Sequence, residues 1–263
     1  MRAVSLDPDV VAVTSRLLQT NCTIVRGAIQ GSTGETFVVD SPILPDELEL
    51  LPSLLEQAGF PAPSGLLATH ADWDHLLGRL AFPQAPLGCA ESSAARLQAE
   101  PGAVQRELRA FDEELYLARA RPLALGSVQA LPVPGRCSIG ERELELHAAD
   151  GHTGDGMAVW IGWARVLAAG DYISNVEIPT LSRGGSLDAY LATLARLRPL
   201  VELAEHVVAG HGDVLDSERA LSVLDEDVAY LQGLPEAGGA VELPAGRRSR
   251  RQRELHAANL AAI

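Results

Sequence analysis

The sequence is poor in aromatic residues, in positive charge and in cysteine, and each shortage removes a class of explanation. Phe, Trp and Tyr make up 4% of the 263 residues, so the interior has to be built mostly from Leu, Val and Ala. Lys and Arg number 21 against 35 Asp and Glu, a formal net charge of −14. That balance argues against general nucleic-acid binding, which needs a basic surface to meet phosphates. An anionic substrate would have to be drawn by a local positive patch or by bound cations. Cys22, Cys89 and Cys137 are odd in number and widely spaced, with no CxxC pair. They form neither a disulfide framework nor a thiolate zinc site, and a reducing compartment is the simpler reading. Apolar runs long enough for a membrane helix are missing, and Met1 to Asp9 holds no signal-peptide core. The expectation is a cytoplasmic protein without a membrane partner.

What the chain does have is 47% hydrophobic residues, enough to bury a core without disulfides, in one large domain or two small ones. It also has an unusual cluster, His70-Ala71-Asp72-Trp73-Asp74-His75, after the apolar run Gly65 to Thr69. Imidazole and carboxylate side chains are mostly surface groups unless something pairs them. Packing gives no reason for four of them within six residues, whereas both are ordinary donors to zinc or iron. On a strand His70, Asp72 and Asp74 would share one face, and a turn would bring His75 beside them. Such a stretch could serve two adjacent ions.

Three later stretches fit the same purpose: Gly151-His152-Thr153-Gly154, Gly170-Asp171 after Val166 to Ala169, and Gly210-His211-Gly212 after Val207 to Ala209. Each places a potential ligand beside glycine at the end of a strand-like run, where side chains are delivered to a cleft. In motif order and spacing the chain resembles the metallo-β-lactamase superfamily, whose pattern is His-x-His-x-Asp-His, then a His, a bridging Asp and a last His. The resemblance implies an α/β fold (α+β in some schemes), the four-layer αββα sandwich. It implies a first metal site of His70, Asp72 and His152, a second of Asp74, His75 and His211, and Asp171 bridging them. Asp72 departs from the pattern, which usually has His there. Just beyond the bridging position, Tyr172 and Arg183 fall where the family's loops often touch substrate, and Trp73 either lines the entrance or walls the metals.

Val10 to Val13, Cys22 to Val25 and Thr36 to Val39 read as strands, with a turn at Gln30 to Gly34. Asp40 ends the third strand in a hydrogen-bonding role. Pro45-Asp46-Glu47 starts a helix that Pro52 is expected to break or kink before Gly59 closes it. Ser92 to Gln98 reads as a short helix. Val104, Leu108, Phe111 and Leu115 recur at helical steps; packing on the domain is the simpler reading of that helix, with a lid or a homodimer contact as alternatives. Val128 to Leu131, Glu143 to His147, Met157 to Ile161 and Val166 to Ala169 read as strands, and Ser186 caps a leucine-bearing helix that a second one follows. His147, His206 and His256 have bland surface or part-buried roles. Residues 1–235 are expected to form the metallo-β-lactamase-like domain. Residues 236–263 would be a C-terminal extension packed on it, with a solvated Arg-rich segment (Arg247, Arg248, Arg250, Arg251, Arg253) and a short helix.

Two divalent ions, zinc first and iron or manganese as alternatives, would lower the pKa of a bridging water toward ~7 and polarise the bond under attack. Asp74 would be the catalytic residue, orienting the hydroxide or accepting its proton. The expected activity is metal-dependent hydrolysis of a small-molecule ester, lactone, thioester, amide or phosphodiester. A non-haem iron oxidoreductase of the same fold, flavodiiron-like or sulfur dioxygenase-like, is the alternative. Asp72 adds a negative charge, which implies an alkaline activity optimum and a shift from zinc toward manganese or iron.

Overall fold

Both faces of the central strands are apolar because each face meets a different layer. The first sheet runs in the order β1 (Arg2–Asp7), β2 (Val10–Thr14), β3 (Asn21–Gly27), β4 (Glu35–Asp40), β5 (Gly65–Ala68), β6 (Leu87–Ala90) and β7 (Val128–Leu131). Its first four strands pair antiparallel and its last four parallel. The second sheet runs β13 (Val214–Leu215), β12 (His206–Ala209), β11 (Val166–Gly170), β10 (Met157–Ile161), β9 (Arg142–Ala148) and β8 (Gly135–Ile139). The computed structural model describes residues 1–28, 30–31, 34–236 and 241–263. Part of the turn expected at Gln30 to Gly34 therefore lies outside the described residues, as does the start of the C-terminal extension.

Strand alternation sorts side chains into three cores. Val11, Val13, Ile24 and Val38 point outward, under α1 (Pro45–Gln57), α2 (Gly78–Ala81), α3 (Glu91–Ala99) and α4 (Ala103–Glu114). Val10, Ala12, Val25 and Val39 point inward, against Leu144, Leu146, Met157, Val159 and Ile161 of the second sheet. Ala158, Trp160 and Leu167 face α5 (Leu187–Leu203) and α6 (Ser217–Glu236). Two facing sheets with helices outside each make the αββα sandwich.

Pro52 lies inside α1 and does not end it. An interior proline costs about 3 kcal/mol, but Leu48, Leu51 and Leu55 are buried on one stripe, each contributing about 1.5–3 kcal/mol; Pro52 itself is on the exposed face. The Arg-rich run also differs from its expectation. Arg248, Arg250, Arg251 and Arg253 are exposed, but Arg247 is among the most fully buried side chains. Its Nη1 is hydrogen-bonded to Asp227, and its Nη2 lies 3.0 Å from Glu226 Oε2. This buried ion pair ties the segment to α6. Beyond it, α7 (Arg250–Ala262) lays Leu255 and Leu260 on the cluster beneath α5 and α6.

Candidate metal centre

The site lies along one edge of the sandwich, where strands of both sheets end. After β5, the chain runs through Thr69, His70 and Asp72 into a short 3-10 turn, Trp73–His75, which carries Asp74 and His75. The β9–β10 loop brings His152, the end of β11 brings Asp171, and the end of β12 brings His211. Asn21 of the first sheet holds the second sheet in place beside them, its Nδ2 donating to Ala209 O and Gly212 O at 2.8 and 3.0 Å. Gly210 has to be glycine, because a Cβ there would stand 1.9 Å from Asp171 Oδ1.

Two groups of donors result, His70, His152 and Asp171 in one, Asp74, His75 and His211 in the other, with the ligand atoms of each group within 4.8 Å of one another. Asp171 faces both. Its Oδ2 is 3.3 Å from His152 Nε2 and 3.8 Å from His70 Nε2, while its Oδ1 is 3.2 Å from His75 Nε2 and 3.6 Å from His211 Nε2. Asp74 Oδ2 lies 3.3 Å from His211 Nε2 and 3.8 Å from His75 Nε2. Asp72 Oδ2 flanks the first group, 3.6 Å from His70 Nε2 and 3.7 Å from His152 Nε2. Donors about 2.1 Å from a tetrahedral ion are about 3.4 Å from each other, which is the spacing seen.

All four imidazoles are oriented through a partner at Nδ1. His75 Nδ1 pairs with Asp40 Oδ2 at 2.9 Å, His152 Nδ1 with Thr180 O at 2.9 Å and His211 Nδ1 with Leu18 O at 3.0 Å. These partners only accept. Thr69 Oγ1 gives its own proton to Asp40 Oδ2 at 2.8 Å, so it accepts from His70 Nδ1 at 3.1 Å. Every ring therefore keeps a proton on Nδ1 and points Nε2 inward, the atom that a metal ion would bind once it is unprotonated. His70 Nε2, His75 Nε2 and Asp171 Oδ1 are buried with no hydrogen-bond partner among the described residues. Buried polar atoms are normally satisfied, so the donor set fits divalent cations.

The electrostatics agree. Burial pushes Asp171 up, but the charges of His211, His75 and His70 outweigh it and hold the carboxylate well below its usual range. Burial likewise opposes ionisation of Asp72, and hydrogen bonds with His152 and His70 overcome it. Conversely, burial would lower His75 and His211, but Asp171 with Asp40 or Asp74 raises both well above an ordinary imidazole. The site calls for positive charge at the places where two cations would bind.

Arg96, on α3, is the functional side chain that the motifs did not point to. Its Nη2 donates to Asp72 Oδ1 at 2.5 Å and its Nη1 to Asp155 Oδ1 at 2.8 Å. Asp155 in turn accepts from Ala71 N at 3.0 Å. The extra negative charge of Asp72 is thus met by a guanidinium, and the argument for an alkaline optimum loses its premise. A carboxylate standing where a neutral imidazole is usual was the signal for a nearby cation. Five carboxylates (Asp40, Asp72, Asp74, Asp155, Asp171) against one guanidinium leave four negative charges among the groups touching the imidazoles or Arg96, the charge of two divalent cations.

Of the expected substrate contacts, Trp73 stacks on Phe111 of α4, ring centroids 4.4 Å apart. Arg183 is ion-paired with Glu107 and lies 3.6 Å from Glu100. Tyr172 is buried, and its hydroxyl accepts from His152 N at 3.0 Å; it supports a candidate ligand from behind. Among the other histidines, His256 Nδ1 meets Tyr230 Oη at 2.9 Å, and His147 and His206 are half-buried on strands.

The sequence matches the Metallo-beta-lactamase superfamily over residues 15–233. None of the curated proteins matches it. Among solved structures, a metallo-beta-lactamase family protein from Thermus thermophilus is similar at 22% identity and TM-score 0.69, over 90% of this chain and 83% of that one. The stereoselective inverting sec-alkylsulfatase Pisa1 from Pseudomonas sp. is similar at 14% identity and TM-score 0.69, over 99% of this chain and 49% of its own. A third chain, crystallised in a di-iron-bound form, is similar at 22% identity and TM-score 0.57, over 81% of this chain and 97% of its own. With five-sixths of the chain covered by the family match, a matching four-layer fold and a cleft whose histidines all face inward, this protein belongs to the metallo-beta-lactamase superfamily.

Proposed function

We propose that the protein is a metal-dependent hydrolase acting on a small-molecule ester, lactone, thioester, amide or phosphodiester. The observation that carries this reading is the convergence of four inward-facing Nε2 atoms, each ring held through Nδ1, on both oxygens of Asp171. His70, Asp72, His152 and Asp171 would hold one ion, and Asp74, His75, His211 and Asp171 the other. Divalent ions bound there supply an acidified water and a Lewis acid for the bond under attack. Asp74 Oδ2, facing the second group, is placed to accept a proton from the attacking water. Burial opposes ionisation of Asp74, but His75 and His211 keep it below the usual carboxylate range, so it is available as a base at neutral pH. Three free cysteines fit a reducing cytoplasm, and no described helix is long and apolar enough to cross a membrane.

The carboxylate donor at Asp72 gives a specific reason to keep iron chemistry as the second reading, since hard oxygen donors suit iron and manganese. Metal analysis of protein purified without added metal, followed by a panel of esters, lactones, thioesters, phosphodiesters and a secondary alkyl sulfate, separates the two. Bound zinc with turnover of one class supports the hydrolase. Bound iron with oxygen consumption, and no hydrolysis across the panel, would replace it with an oxidoreductase.

A further inference from the structure

Loop 172–183, between β11 and α5, has no regular secondary structure, so its backbone groups must find partners elsewhere. Two groups of this loop act on the candidate centre. Thr180 O accepts the Nδ1 proton of His152 at 2.9 Å, and Ser174 Oγ donates to His211 O at 2.8 Å. The loop is in turn gripped from the C-terminal segment. Ile178 N donates to Gln252 Oε1 at 2.7 Å, Leu181 N donates to Asn259 Oδ1 at 2.9 Å, and Asn259 Nδ2 donates to Pro179 O at 2.6 Å. Arg247 Nη1 donates to Ser174 O and Glu177 O at 3.1 and 3.0 Å. Thr180 is thus held from both sides, through Pro179 and Leu181.

The composition of α7 makes this more than packing. Its buried residues are Gln252 and Asn259, two amides seven positions apart on one face, with Leu255 and Leu260 only half-buried beside them. A helix that docked for apolar burial would present leucines at its buried positions. This one presents amides, and each is spent on the backbone of the loop. The segment also lies beyond residues 15–233, outside the stretch that defines the family.

We propose that α7 and Arg247 are a brace for the metal centre: by fixing loop 172–183 they hold the tautomer and aim of His152, and through Ser174 the position of His211, and so set metal affinity. These are positioning residues, and the inference rests on His152 and His211 being ligands. The test uses the full chain with Gln252→Met and Asn259→Leu made separately, and Arg250→Ala as a control on the exposed side of α7. Zinc is titrated calorimetrically, and histidine side-chain ¹⁵N spectra are recorded on zinc-free protein at a pH high enough that the His152 ring is neutral, since, against burial, its carboxylate neighbours raise its pKa. In each brace variant the zinc dissociation constant rises about tenfold, at the low end of what losing an outer partner costs, and the His152 signals leave the fixed Nδ1–H pattern for averaged tautomers. Arg250→Ala changes neither. Should Asn259→Leu fail to fold, Gln252→Met reaches the same loop independently. Folded variants with wild-type zinc affinity and a wild-type His152 spectrum would overturn the brace. A wild-type chain that takes up no zinc or iron overturns the metal reading alone, and the His152 spectra then decide the brace.

Discussion

Single side chains decide the charge at this centre. Arg96 offsets Asp72 at 2.5 Å while holding Asp155 at 2.8 Å, with only 13% of its side chain exposed. Removing one partner of a buried ion pair costs about 3–5 kcal/mol, and Asp155 is buried, so Arg96→Met should lower the urea-unfolding free energy of metal-free protein by a few kcal/mol. Part of that loss returns with zinc, because a divalent cation compensates the freed charge. Ordering the short Asp72 side chain costs about 1 kcal/mol, less than the repulsion between a guanidinium and a nearby divalent ion. Zinc should therefore bind Arg96→Met more tightly; weaker binding would show that Arg96 serves to aim Asp72. The candidate ligand histidines should behave oppositely. His152→Ala and His211→Ala should each weaken zinc by more than ~100-fold, beyond the loss of an outer partner, and abolish turnover while the far-UV spectrum stays. Unfolding of either variant without loss of metal would make these residues structural.

At the scale of elements, α4 joins the two sides of the site. Phe111 rests on Trp73 between Asp72 and Asp74, and Glu107 grips Arg183, whose carbonyl accepts from Gly154 N near His152. Phe111 is half-buried, so Phe111→Ala should cost about 1–2 kcal/mol, less than the 3–5 kcal/mol of a core Phe, and should raise KM more than it lowers kcat. A core-sized stability loss with KM unchanged would make α4 plain packing. This helix was legible in the sequence because Val104, Leu108 and Phe111 keep a helical period. The central strands were legible because Val10 to Val13, Met157 to Ile161 and Val166 to Ala169 are buried on both faces. β1 and β8 were not, since Arg2–Asp7 is largely exposed and Gly135–Ile139 is broken by polar residues. The donors between His70 and His75 are local in sequence and could be read directly, and His152, Asp171 and His211 stand beside glycine at the ends of strand-like runs. Arg96, Arg247 and the amides of α7 reach their partners from distant positions, and no local spacing encodes such contacts.

Across the whole molecule the buried charges couple stability to pH. In metal-free protein, Asp72 and Asp171 sit well below their ordinary pKa; their contribution is present above the usual carboxylate range and is lost as pH falls through the depressed values. His75 and His211 sit well above theirs, so their contribution is complete below about 6.5 and disappears as pH rises through the elevated values. Asp227, pushed up to about 7 by burial against the pull of Arg247, has the same sign: its contribution is complete at acid pH and is lost as pH climbs through about 7. Zinc-free protein should accordingly melt at steadily lower temperature from pH 6.5 to pH 9. A metal ion at the candidate centre would need the unprotonated Nε2 of His75 and His211, so binding would displace protons and tighten as pH rises. The increase in Tm on adding zinc should therefore grow over the interval in which the zinc-free Tm falls. Asp227 is common to both forms and cancels from that increase, which isolates the metal centre. Calorimetric melts at several pH values, with chelator and with excess zinc, measure both trends, and a pH-independent zinc increment would mean that the imidazoles of the centre are already free of protons at neutral pH.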